Sequence, residues 1–573
     1  MARNTAAHYL LEGLCELGIE YLFCNLGTDH VSLIEEMARW DTGNRPYPKP
    51  VLCPHENVAV HMAGGYAAVT GQGQAVIAHV DAGTANAAMG LGNLFRGRLP
   101  VFLMAGRAPY TMRGELPGSR DTYVHFVQDP YDMAGLVRPY VKWEYGLQSG
   151  VVAKEVLRRG HSVMQSDPAG PVFLTLPRET LAAEWEEEAV RAFPEDRYGP
   201  VRAGAADPDT VARVAERLMA AENPVAITAY LGRRPEAVPA LDALARECGV
   251  RVVEFNPVYL NIPRDSPAFA GFDPHPLLPE VDLGLLLDVD VPWIPQSARE
   301  NPATTWVQVD VDAAKKDFPM WGFPADIRVQ ADCATVLRQV LEAVRARADD
   351  AFRDRVARRR AGWDAARRVR AERLAAAAGR AGEPDAVSPA HLCAILCREL
   401  APDDIVVNEG VRNAGAVQEH LPRTVPGTYI GLAGAGLGYS GGMALGAKLA
   451  RPERRVVQVV GDGGFHFSTP DSVYAVAQQY GLPIFTVVLD NRGWQAVKES
   501  VKRVYPDGVA AGIDRFQARL QGERRMFEEV GRAFGAHGER VSDPAELPAA
   551  IRRCLSAVDA GRAAVLTVRV TPL

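Results

Sequence analysis

The chain has 573 residues, is 47% hydrophobic and carries a formal charge of −7. That length exceeds a single hydrophobic core, so roughly three to four domains are expected. The charge gives no electrostatic case for nucleic acid or membrane binding, and no stretch reaches about eighteen uninterrupted apolar residues. The eight cysteines are scattered without paired zinc-type spacing. No basic start followed by an apolar run opens the sequence, so no leader is expected and a cytoplasmic, reduced protein follows.

Strands and helices alternate along the whole chain, as parallel sheets with helices on both faces require. The strand predicted over 21–26 turns at Gly27-Thr28-Asp29-His30. There Asp29 can cap a helix starting at Val31, or Thr28 and Asp29 can face a ligand. Pro54-His55-Glu56-Asn57 leads into a small-residue helix over 58–69, with Glu56 where an acid suits a helix N-terminus. A strand from residue 75 breaks into the turn Gly83-Thr84-Ala85-Asn86 before a helix over 87–94. His79 stands at that strand's end, either packed structurally or serving as general acid or base.

The acidic, Pro-containing stretch 184–207 reads as a boundary. Beyond it, strands over 224–228, 251–255, 282–287 and 305–309 alternate with helices. Only Tyr230-Leu231-Gly232 follows the first of these, without Gly-x-Gly-x-x-Gly, so dinucleotide binding is weakly supported. The Arg/Ala-rich stretch 345–389 reads as a solvated connecting helix. Ser388-Pro389 then supplies N-cap and N1 of a helix. On it His391, Cys393 and Cys397 share a face that reads as buried core, with a metal site as the alternative.

The strand over 405–409 ends in the polar turn Asn408-Glu409-Gly410, and 429–450 is a Gly/Ala-rich turn and helix. The β-branched run 456–460 ends in Gly461-Asp462-Gly463-Gly464, where glycines let the backbone approach a ligand. A helix predicted over 469–480 places Gly463 and Gly464 just before a helix N-terminus, whose free N–H groups favour phosphate. The next strand, over 483–489, ends at Asp490-Asn491, so Asp462 and Asn491 emerge side by side at one sheet edge. Two hard oxygen ligands beside a diphosphate suit Mg²⁺.

The run from Gly461-Asp462-Gly463 to Asn491 resembles the signature of thiamine diphosphate enzymes. Asp490 stands where the first asparagine usually does and the spacer is slightly long, yet neither departure removes a ligand. With residues 54–57 and 83–86 the resemblance covers nearly the whole chain. It points to the acetolactate synthase, pyruvate oxidase and benzoylformate decarboxylase branch. It implies an α/β fold of three doubly wound parallel-sheet domains: pyrimidine-binding (1–185), central and Rossmann-like (200–345), and diphosphate- and Mg-binding (388–573), with 346–387 connecting the last two.

By the same resemblance Asp462, the Asn491 side chain and the Gly493 carbonyl hold Mg²⁺. Gly461, Gly463, Gly464 and Trp494, with Asn408, Glu409 and Gly410, line the diphosphate. Backbone at Ala435 and Gly436 contacts the pyrimidine, Leu437 props the bent cofactor, Asn86 belongs to the turn near it, and Glu56 is the activating acid. His79 most resembles the histidine of benzoylformate decarboxylase. Thr28, Asp29 and Gln128 are expected near substrate. Glu499, on a short helix after Trp494, matches a proton-carrying acid of 2-hydroxyacyl-CoA lyases, with an exposed helical charge as the alternative.

The implied chemistry begins with Glu56 promoting deprotonation of the thiazolium carbon, which attacks the carbonyl of a 2-oxo acid. CO₂ or an aldehyde is lost, and His79 or Glu499 delivers a proton or a second carbonyl is attacked. This reads as a 2-oxo acid decarboxylase or carboligase, acetolactate-synthase-like. A 2-hydroxyacyl-CoA or oxalyl-CoA lyase, acting on an acyl-CoA, is the alternative. A non-catalytic binding homologue would have lost Glu56 or the metal ligands, and both are present. FAD stays open without a supporting motif. The expected assembly is a homodimer or homotetramer, the activating glutamate of one subunit facing the diphosphate site of another.

Overall fold

Short apolar runs pair into three six-stranded parallel sheets in the computed structural model, which describes residues 3–520 and 525–571. Met1 and Ala2, in the stretch read for a leader, and the last two residues of the C-terminal region lie outside the described residues. The N-terminal sheet runs Lys49–Leu52, Tyr21–Cys24, Gln74–Ala78, Val101–Arg107, Val172–Pro177, Glu144–Gly146. The C-terminal sheet runs Tyr429–Ile430, Ile405–Glu409, Val456–Gly461, Phe485–Asp490, Ala564–Arg569, His537–Val541. Numbered along the chain within each sheet, both follow the order 2-1-3-4-6-5. The central sheet runs Phe269–Gly271, Arg251–Glu254, Pro224–Thr228, Leu283–Leu287, Thr305–Asp310, Ile327–Gln330, the order 3-2-1-4-5-6. The expected α/β class with three doubly wound sheets is thus the one observed. Ile327–Gln330 escapes sequence reading because it is short and only alternate residues are buried.

Two expectations about local structure fail. The helix after Gln74–Ala78 starts at Val80 and runs to Arg96, so Gly83 to Asn86 are helical and form no turn. Tertiary packing outweighs the glycine's poor helix propensity there: a Cβ on Gly83 would lie 2.8 Å from Glu56 Oε1, so the missing side chain makes room for that carboxylate. Likewise a short helix, Asp462–Phe467, begins at the aspartate itself. A second, Pro470–Tyr480, follows Thr469, whose φ of 50° breaks the path. Gly463 and Gly464 therefore lie in the first turn of the short helix and are remote from the N-terminus of the longer one.

The helix Glu56–Thr70 takes its N-cap from His55, whose Nδ1 accepts the Asn57 N–H at 3.1 Å, and ends on left-handed Gly71. It crosses Ser440–Ala450 so closely that a Cβ on Gly65 or Gly446 would overlap the other helix's backbone. Val58, Val60 and Met62 join Met443 and Leu445 in a core that continues to Val225 and Tyr259 of the central region. The connecting stretch forms helices Asp350–Ala361 and Trp363–Gly379, which bury only Phe352, Val356 and Trp363. Cys393 is buried among Leu392, Ile395 and Leu396, and His391 bonds the Ala378 carbonyl at 2.7 Å, as core packing requires. No described helix is long and apolar enough to cross a membrane.

Candidate active site

The carboxyl ends of the N-terminal strands gather four of the predicted residues. Glu56 is 4% exposed, its Oε1 accepting from Asn25 Nδ2 at 2.9 Å and its Oε2 from Asn86 Nδ2 at 3.0 Å. Beside it, His79 Nδ1 meets Asp29 Oδ1 at 2.5 Å. Asp29 therefore binds a side chain across the sheet, and the helix beginning at Val31 has no side-chain cap. The Asp29 hydrogen bond raises the His79 pKa against a smaller opposing effect of burial, with Gln128 adding a further hydrogen bond. Burial pushes the Asp29 carboxyl up, but the His79 bond and the neighbouring histidines outweigh it and hold the group below the usual carboxylate range. The pair needs two close approaches: a Cβ on Gly27 would overlap the His79 ring, and one on Gly106 the Asp29 carboxylate. Thr28 turns to another partner, His125 Nε2, at 3.1 Å. His125 is buried beside Arg178, and burial and then the Arg178 charge lower its pKa.

At the matching edge of the C-terminal sheet, Gly461 pairs with Leu489, which brings Asp462 beside Asp490 and Asn491. The Gly493 N–H donates to Asp462 Oδ2 at 2.9 Å and to Asn491 Oδ1 at 3.2 Å, so both oxygens converge on one point. Burial and then the charge of Asp490 push the Asp462 carboxyl up to about 7. Asp490 itself is ion-paired with Arg525 at 2.6 Å. Two neighbouring hard oxygens, one from a buried carboxylate whose raised pKa the Arg525 charge only partly offsets, fit a divalent cation such as Mg²⁺. Gly463 packs under Trp494, where an added Cβ would lie 2.8 Å from the indole nitrogen.

The turn from Ala435 to Ser440 is held from below. Both Glu409 oxygens are taken by the Gly438 and Ser440 N–H groups and the Ser440 hydroxyl. The Asn408 side chain bonds the Tyr429 hydroxyl at 2.9 Å and the Gly410 N–H at 3.0 Å. These two side chains hold the protein's own backbone. Ala435 is exposed and Leu437 half-buried. Asn57, next to Glu56, donates to the Gly438 carbonyl at 3.2 Å and reaches the Phe467 carbonyl at 3.4 Å, tying the Glu56 helix to both C-terminal segments. Farther out, on the helix Gln495–Val504, Glu499 is ion-paired with Arg412 and Lys498 with Asp514.

The central sheet reverses strand order between Pro224–Thr228 and Leu283–Leu287, the place where this topology receives dinucleotides. Arg98 fills it, bonding Asp288 at 3.2 Å, Asp290 at 2.9 Å and Asp310 at 3.0 Å, and Lys315 bridges Asp290 and Asp310 at 2.6 Å each. A pyrophosphate would meet three carboxylates already neutralised by the protein's own cations.

Asn25, His125, Asn57 and Asn93 bond the candidate residues or the turn at Gly436 to Gly438, and His61 bonds Asn93, yet sequence reading singles out none of them. Asn93 was open to detection, since a helix starting at Val80 puts it two turns from Asn86 on the same face.

Residues 4–135 match the family described as thiamine pyrophosphate enzyme, N-terminal TPP binding domain, and residues 412–568 the corresponding C-terminal TPP binding domain. Among curated relatives, the acetolactate synthase isozyme 3 large subunit of Escherichia coli is 25% identical over 535 residues, covering 91% of this chain and 88% of that one. Benzoylformate decarboxylase of Pseudomonas aeruginosa is 25% identical over 524 residues, covering 88% and 89%. Among solved structures, the thiamine diphosphate-dependent 4-hydroxybenzoylformate decarboxylase of Rhodococcus jostii RHA1 superposes with a TM-score of 0.78 at 21% identity, covering 99% of each chain.

Proposed function

This chain belongs to the thiamine pyrophosphate enzymes, and from that premise we propose that it is a 2-oxo acid decarboxylase or carboligase. The observation that carries the reading is the Asp29–His79 pair at 2.5 Å, an imidazole whose pKa the carboxylate raises, beside the Glu56 cradle. The names of the relatives, acetolactate synthase and benzoylformate decarboxylase, agree with it.

Thiamine diphosphate, when bound, supplies the carbon nucleophile and the electron sink for the cleaved bond. Asp462, Asn491 and the Gly493 carbonyl hold Mg²⁺ in this reading. Gly461, Gly463, Gly464 and Trp494 line the diphosphate, with Asn408, Glu409 and Gly410 shaping the wall behind it. Ala435 and Leu437 face the pyrimidine, whereas the Gly436 N–H and carbonyl, expected to touch it, are both bonded to Asn93. Glu56, oriented by Asn25 and Asn86, exchanges a proton with that ring. His79 has Nδ1 committed to Asp29, so Nε2 is the atom that gives a proton to the product, and Asp29 stabilises the charged ring. Thr28 and Gln128 line the substrate side. Glu499 carries less weight as an acid because Arg412 neutralises it. A cytoplasmic homodimer or homotetramer with sites at the subunit interface completes the reading. Exposed Tyr123, Phe126, Val127 and Tyr131 near the site support such an interface.

The test is a product screen with enzyme, thiamine diphosphate and Mg²⁺, offered pyruvate, benzoylformate or a 2-hydroxyacyl-CoA and followed by mass spectrometry. CO₂ with an aldehyde means decarboxylase, and CO₂ with a longer hydroxyketone or hydroxy acid means carboligase. Formyl-CoA with a carbonyl compound would replace both with a CoA lyase.

A further inference from the structure

Asn93 lies at the seam of the N-terminal and C-terminal domains, 6% exposed. Its Oδ1 accepts the Gly436 N–H at 3.0 Å and its Nδ2 donates to the Gly436 carbonyl at 3.0 Å. The second Nδ2 proton faces His61 Nε2 at 3.2 Å, and His61 Nδ1 donates to the Asn57 carbonyl at 2.8 Å. This bonding assigns fully buried His61 as the neutral tautomer with its proton on Nδ1. Burial agrees, pushing the imidazole down to about 4. A Cβ on Gly434 would press to 2.5 Å from Asn93 Oδ1, so the approach depends on the glycine.

A trans peptide points its C=O opposite to its N–H, and the bonds here are trans. Drawing the Gly436 N–H onto Asn93 therefore turns the Ala435 carbonyl away from Asn93. Drawing in the Gly436 carbonyl turns the Leu437 N–H away in the same manner. Gly436's own polar groups are used up, and an acceptor and a donor from its neighbours are left facing outward.

We propose that Asn93, oriented by His61, is a positioning residue for thiamine diphosphate: it fixes the Ala435 carbonyl and the Leu437 N–H in the directions that present them to the aminopyrimidine. The proposal rests on the assignment of this turn to the pyrimidine made above.

Apoenzymes of the unaltered chain, Asn93→Ala, His61→Ala and the double variant are titrated with thiamine diphosphate at saturating Mg²⁺, following tryptophan fluorescence. Near-UV circular dichroism of each saturated complex and the melting temperature of each apoenzyme are recorded alongside. Asn93→Ala should bind about tenfold more weakly, the scale of a lost pair of buried hydrogen bonds, and alter the dichroism of the bound aminopyrimidine. At saturating cofactor kcat should fall while the substrate KM holds. His61→Ala should lose less, and the double variant no more than Asn93→Ala, because His61 acts through Asn93. A lower melting temperature with unchanged affinity and dichroism overturns the proposal, as does a double variant whose losses multiply. If Asn93→Ala does not fold, His61→Ala carries the test, since it removes no atom touching Gly436; unchanged affinity and dichroism there overturn the proposal too. Failure of the unaltered chain to bind thiamine diphosphate would instead overturn the assignment of the turn itself.

Discussion

In the N-terminal sheet the third strand, Gln74–Ala78, is followed by His79; in the C-terminal sheet, of identical strand order, the third strand, Val456–Gly461, is followed by Asp462. Each residue meets an aspartate from a neighbouring strand's exit. His79 meets Asp29, and unlike charges retain a proton. Asp462 meets Asp490, and burial with like charge pushes its carboxyl up to about 7. The same backbone edge thus raises an imidazole pKa where it faces a carboxylate and a carboxyl pKa where two aspartates meet. The scaffold decides where chemistry can sit, and single residues decide which chemistry it is.

Breaking the cation side should have the largest effect. Asp462→Ala should abolish Mg²⁺-dependent retention of thiamine diphosphate on gel filtration and cut turnover at least about a thousandfold; retention like that of the unaltered chain would remove Asp462 from the metal site. On the proton side, Glu56→Gln should cut turnover at least about a hundredfold, the scale of a lost proton-transfer group, while cofactor binding largely persists. Near-normal turnover would overturn the role of Glu56. His79→Ala should also cost about a hundredfold without weakening cofactor binding, and unchanged kinetics would make His79 structural.

Asp29→Asn is the finer probe. Asp29 raises the His79 pKa, so removing its charge should move the alkaline limb of kcat to lower pH, read from a pH–rate profile. The same pair has a signed effect on stability. His79, raised on folding, contributes below its unfolded value and loses that contribution as pH rises through its folded value. Asp29, lowered on folding, contributes above its unfolded value and loses it as pH falls. The melting-temperature gap between the unaltered chain and Asp29→Asn should therefore be widest between about pH 4 and 6.5. The smallest effect is expected from Asp490→Asn. It weakens the pairing with Arg525 by about 1–2 kcal/mol in denaturant melts, while turnover stays within roughly tenfold of the unaltered chain.

Much of this was legible in the chain because period and punctuation are local. The β-branched run 456–460 ending in glycines, the strand before Asp490 and the small-residue helix after Glu56 all carry their signals within a few residues. Helix starts were misread at Val80 and Asp462, where glycines that resemble turn residues are instead accommodated by what packs on them, the Glu56 carboxylate in one case and Trp494 in the other. Asn25 and His125 went unnoticed because their partners, Glu56 and Thr28, lie far away along the chain and nothing nearby marks them.

By itself the sequence determined the α/β class and marked Asp462, Asn491 and Glu56 as candidates, since each depends on residue type at short spacing. Only the tertiary structure decided that Asp29 serves His79 and leaves the following helix uncapped, that Glu409 and Asn408 brace backbone, and that Arg98 pairs with three aspartates at the central sheet. The reason is physical: a hydrogen bond or ion pair between distant segments exists only after the sheets have brought them within about 3 Å, and no local pattern encodes that distance.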